Sequence, residues 1–78
     1  MDRDTKIKAE FGKALRKFRT AAGISQEALA DLAGIHRTYV GDVERGERNI
    51  SLINMMRLAG ALRVRLGQMI QEMEKNLR

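Results

Sequence analysis

The 78-residue sequence has no cysteine, no proline and no tryptophan, and its few aromatic residues are Phe11, Phe18 and Tyr39. Without cysteine no disulfide can brace a small core, and such composition fits a reducing cytoplasm. Without Val/Ile/Tyr-rich alternation, strands are not expected. No apolar run approaches the roughly 20 residues of a membrane span. The opening Met1-Asp2-Arg3-Asp4 is charged, unlike a signal peptide, so a cytoplasmic protein without a membrane partner is expected. Enzyme constellations are missing too. His36 has no cysteine, second histidine or spaced carboxylate pair with which to hold a metal. Gly34, Gly41 and Gly46 are too dispersed for a phosphate loop. No catalysis, cofactor, metal or small-molecule ligand is expected.

What is present is positive charge. Fifteen Lys/Arg stand against ten Asp/Glu, a net charge of +5, which fits a polyanionic partner or plain solubility. The length allows one domain, residues 1–78, with a core small enough that burial against a second copy would add stability.

Apolar periodicity predicts five short helices, an all-α domain. Ile7, Phe11, Leu15 and Phe18 recur at four, four and three from a start capped by Asp4 or Thr5, over a helix running to about Ala22. Lys6, Lys8, Lys13, Arg16, Lys17 and Arg19 occupy its other faces. Ser25 opens a second helix with Ala28, Leu29, Leu32 and Ala33 inward, and Gly34 supplies a position of positive φ. His36 to Val40 restarts the chain as a third helix that closes at Gly46. Val40 and Val43 face inward there, while Arg37, Thr38, Gly41 and Asp42 are left outside. Residues 25–46 thus read as a helix-turn-helix, whose second helix enters the DNA major groove. His36 either caps that helix or touches a phosphate.

Ser51 caps a fourth helix to about Leu62, with Leu52, Met55, Leu58, Ala59 and Leu62 inward. Ile53, Met56 and Gly60 make a second stripe that a small monomer has no interior to cover. Met56 could instead fill a gap. A fifth helix, Leu66 to around Asn76, carries Leu66, Met69, Ile70, Met73 and Leu77 on one stripe, and the stretch from Lys75 to Arg78 is expected to fray.

The runs Gly23-Ile24-Ser25-Gln26-Glu27-Ala28-Leu29-Ala30, Ala33-Gly34-Ile35 and Val43-Glu44-Arg45-Gly46-Glu47-Arg48-Asn49 closely resemble the lambda-repressor-like (XRE) helix-turn-helix family. The resemblance covers about Phe11 to Ile70 and implies a compact five-helix DNA-binding domain. Within the family, His36-Arg37-Thr38-Tyr39-Val40 with Glu44 to Leu52 looks most like the controller proteins of restriction–modification systems. Ile50 departs from it, standing where many members carry proline.

The resemblance implies a cytoplasmic homodimer on an inverted-repeat, double-stranded DNA operator, controlling its own gene and an endonuclease gene. RNA polymerase is a further partner on that account. Arg37, Thr38, Tyr39 and Gly41 would read bases, and Ser25, Gln26, His36, Arg48 and Asn49 would hold phosphates. Arg19 and Glu44 would form a structural ion pair. Two readings stay open: Tyr39 packing under the first helix, and Arg48 pairing with Glu44 or Glu47. Residues 51–74 would carry the dimer through Ile53, Met56, Gly60, Arg65, Leu66, Met69 and Ile70. An antitoxin or phage-type repressor of the same fold, or an adaptor that reads no bases, are the rival functions.

Overall fold

The computed structural model describes residues 2–77, and Met1 and Arg78, the latter part of the stretch expected to fray, lie outside the described residues. The chain forms α1 (Arg3–Ala21), α2 (Gln26–Ala33), α3 (Arg37–Glu44), α4 (Leu52–Leu62) and α5 (Leu66–Lys75), with no strand among the described residues. Side-chain caps set most of the starts. Asp2, not Asp4 or Thr5, opens α1 by accepting the Thr5 N–H at 2.7 Å, so the helix begins two or three residues earlier than expected. Ser25 accepts from the Ala28 N–H at 3.0 Å and Ser51 from the Asn54 N–H at 3.1 Å. Gly34 ends α2 at φ +72°. Arg63 ends α4 at φ +57°, where a side chain costs about 1 kcal/mol.

The helices close around Leu15, Leu29, Val40, Val43, Leu58 and Met69, all essentially without exposure. Each such side chain contributes about 1.5–3 kcal/mol relative to an exposed one. α1 packs on α5 and α3, and α2 packs on α3 and α4. The radius of gyration is 11.4 Å, close to the roughly 11.5 Å of a fully collapsed chain of this length. Apolar side chains left outside are therefore not a sign of loose packing.

Four of those lie on one side. Leu32 is 66% exposed, Leu52 63%, Ile53 64% and Met56 55%. Leu32 and Leu52 were expected inside. In α2 the inward arc is Leu29, Ala30 and Ala33, and Leu32 falls roughly 100° away from its centre. Leu52 sits in the first turn of α4, off the arc of Met55, Leu58, Ala59 and Leu62. The second stripe of α4, Ile53, Met56 and Gly60, is exposed as expected. Met69, expected at a partner face, is instead fully buried, because α5 lies on α1 and turns its central residue into the core. Leu66 and Ile70 are half-buried beside it, and Arg65 is exposed.

Two close approaches fix α3 against α1. A Cβ on Gly12 would stand 2.4 Å from the Val43 carbonyl oxygen and 2.6 Å from that of Glu44. At the end of the same contact, a Cβ on Gly46 would lie 2.9 Å from the Ala9 Cα. Backbone thus touches backbone where α1 crosses the end of α3. That crossing positions the site.

Candidate nucleic-acid interface

The helix-turn-helix is α2, a tight turn at Gly34, and α3. The Ile35 N–H donates to the Ala30 carbonyl at 3.0 Å, which closes the turn behind the left-handed glycine. His36 stands at the N-cap of α3, but its side chain makes no capping bond, contrary to the first of its two expected roles. Arg37 and Thr38 follow, both exposed at the helix start. Arg37 Nη1 donates to Glu27 Oε2 at 2.7 Å across the two helices, with 72% and 62% of those side chains exposed. An ion pair this open contributes well under about 1 kcal/mol and yields readily to a better acceptor.

Between the starts of α2 and α3 lies an open cleft of about 550 Å³, lined by Ser25, Gln26, Arg37, Thr38, Gly41 and Arg45 among others. Its walls are polar and its mouth is wide, a shape suited to the edge of a large ligand. Gln26 is half-buried, and its Nε2 donates to Glu44 Oε1 at 2.9 Å. One of its two amide N–H donors is thereby engaged and the other stays available, beside the backbone N–H groups of the helix start.

Gly41 is not an open surface position, contrary to expectation. It is buried, because the side chains of Arg45 and Gln26 lie over it, 3.1 Å and 3.4 Å from where its Cβ would be. The missing side chain makes room for those two neighbours. Arg45 was not singled out in the sequence, although it stands at i+8 from Arg37 and i+4 from Gly41.

Tyr39 is half-buried against the core, which bears out its packing alternative in part. The Arg48 guanidinium stands 5.3 Å from its ring centroid, a cation–π contact that holds the arginine over the ring. Arg48 Nε also donates to Asp42 Oδ2 at 3.2 Å. Its carboxylate partner is therefore Asp42, not Glu44 or Glu47, since Glu44 faces inward and Glu47 accepts from Arg45 at 3.2 Å. Asn49 is exposed just beyond.

Beneath this surface the expected pair of Arg19 and Glu44 is formed. The Glu44 side chain is 3% exposed and Arg19 meets it at 2.6 Å. The hydrogen bond to Glu44 raises the Arg19 pKa above its ordinary value, so the guanidinium stays charged throughout the physiological range.

The wider comparisons agree with this geometry. A family model described as "Helix-turn-helix" matches residues 15–69. Control protein C.SmaI of Serratia marcescens is 46% identical over 56 residues, spanning 72% of this chain and 67% of that protein. Control protein C.MunI of a Mycoplasma species is 36% identical over 70 residues, 88% of this chain and 95% of that one. Among solved structures, the restriction–modification controller protein C.AhdI of Aeromonas hydrophila superposes with a TM-score of 0.78 at 52% identity, covering 80% of this chain and 94% of that chain.

Proposed function

The chain belongs to the helix-turn-helix family, and from that premise we propose that it is a controller-type transcription regulator that reads operator DNA as a homodimer. The observation that carries the reading is the placement of Arg37 and Thr38. Both project from the start of α3, and α3 itself is locked to α1 by buried contacts. A recognition helix must be rigid beneath and free at its N-terminal end to reach base edges. Arg37 suits guanine, whose O6 and N7 accept a guanidinium fork, once its exposed pair with Glu27 opens. Ser25, Gln26, His36, Arg48 and Asn49 frame the same side for phosphates.

One domain of this size covers a single half-site. A two-fold pair sets two α3 helices about 34 Å apart, one turn of DNA, and so reads an inverted repeat. The exposed face of α4 around Ile53, Met56 and Gly60 supplies the apolar surface for that pairing. By analogy with C.AhdI, which is named a restriction–modification controller protein, and with the control proteins C.SmaI and C.MunI, the operator lies beside its own gene and an endonuclease gene, with RNA polymerase as the protein it recruits or excludes.

The test is titration of the protein against DNA from upstream of its own gene and against random duplex at fixed salt. Strong preference for the former is expected. Arg37→Ala should cost about 1–3 kcal/mol on the operator and relax one base position, whereas Arg48→Ala should weaken both duplexes alike and lower the salt slope by about one unit. Equal affinity for both duplexes, unchanged by Arg37→Ala, would favour an adaptor that reads no bases.

A further inference from the structure

Resting on the reading that α3 meets duplex DNA, we infer that Arg45 is a further base-reading residue, working in line with Arg37. Arg37, Gly41 and Arg45 stand at i, i+4 and i+8, which places them in one row, and all three line the cleft beside α2. Arg45 is the residue just past the end of α3, yet its side chain runs back along the helix. Its Nη1 lies 3.1 Å from the position of a Cβ on Gly41. The guanidinium therefore sits about one turn closer to the base-reading end than its own Cα does.

Two carboxylates fix that pose. Arg45 Nε donates to Glu47 Oε2 at 3.2 Å, and Nη2 donates to Asp42 Oδ1. A guanidinium has five N–H donors, so three stay free, both on Nη1 among them. The side chain is 56% exposed, so the guanidinium is within reach of a ligand in the cleft. Guanine offers O6 and N7 to such a fork. Arg45 carries two carboxylate partners, Glu47 as well as the Asp42 it shares with Arg48, so its charge is offset more fully than that of Arg48, which favours a neutral base edge over a phosphate. Gly41 is then a positioning residue: even a methyl there would stand 3.1 Å from Nη1, so the guanidinium must shift by some tenths of an ångström, and a larger side chain would displace it further.

Selection from a randomised duplex library at fixed salt, with wild type, Arg45→Ala and Gly41→Ala, tests the assignment. Arg45→Ala should lose one G·C preference per half-site, binding the wild-type site about 10-fold to 100-fold more weakly, with binding to random duplex unchanged. Gly41→Ala should weaken the same preference, because its methyl displaces the guanidinium slightly, while its thermal unfolding stays at or above wild type, because alanine is the better helix former. Retention of that preference in Arg45→Ala, or equal weakening on selected and random duplex with a lower salt slope, overturns the assignment. A wild-type protein that selects no sequence at all sinks the regulator reading, and this one with it.

Discussion

Arg19 and Glu44 join α1 to the end of the recognition helix by two parallel hydrogen bonds, Nε to Oε2 at 2.6 Å and Nη2 to Oε1 at 3.0 Å. Arg19 Nη1 also donates to the Ile24 carbonyl at 2.9 Å, and Gln26 Nε2 reaches Glu44, so one buried network ties α1, the α2 start and α3 together. Removing one partner leaves the other charge in a site with little water. Arg19→Ala and Glu44→Ala should each cost about 3–5 kcal/mol in urea unfolding, while Arg19→Met combined with Glu44→Leu should cost far less than the sum. Additive losses in the double variant would show that the pair is not one coupled unit.

Gly12 marks the other joint between the same two helices. Inside a helix, Gly→Ala ordinarily stabilises by up to about 1 kcal/mol. At Gly12 the new methyl would meet backbone oxygens of Val43 and Glu44, the nearer at 2.4 Å, so a helix must move. Gly12→Ala should lower stability by about 1–3 kcal/mol or more despite its propensity. Gly67→Ala, whose methyl meets nothing within 4 Å, should raise the melting temperature, and the opposite signs are the check.

How far the sequence could anticipate these features follows from their physics. Periodicity exposed the five helices because Ile7, Phe11, Leu15 and Phe18 repeat at the helical pitch, and Gly34 announced its turn because few other residues accept positive φ. Arg19 with Glu44 came from resemblance alone, since no periodic pattern links residues 25 apart. Leu32 was misplaced because an eight-residue helix leaves its inward arc poorly determined. Gly12 carried no signal: a helical glycine looks the same whether or not a carbonyl lies against it. From the sequence Gly41 reads as an open surface position and Arg45 is given no role, because their meaning lies in one side chain folding over the other.

Glu72 carries a pH-dependent contribution. Hydrogen bonds from Lys17, and then from Lys75, hold its carboxyl below the ordinary glutamate pKa. A depressed folded-state pKa means stability that is fully present above the unfolded value, about 4.3, and lost as pH falls through the folded one. Unfolding measured from neutral pH down through that window should show an acid limb that Glu72→Gln flattens. Asp2, lowered by the Thr5 N–H it caps, adds to the same limb, so a small slope should persist in Glu72→Gln. A limb unaltered by Glu72→Gln would place the acid sensitivity elsewhere.

The apolar side of α4 bears on whether one chain or two meets the DNA. Ile53 and Met56 are 64% and 55% exposed and contribute nothing to the core of their own chain. Ile53→Asp should therefore leave the melting behaviour of the isolated fold nearly intact, and in sedimentation at micromolar concentration it should shift a dimer to monomer. Linking two half-site readers makes the second contact intramolecular, an advantage of about 10²–10⁴ in affinity. The monomeric variant should forfeit that factor on an inverted repeat, and its binding should no longer depend on half-site spacing. Met56→Lys should act alike, since it would put a charge into the same exposed apolar patch. An Ile53→Asp protein that still sediments as a dimer, with spacing preference unchanged, would move the pairing surface off α4.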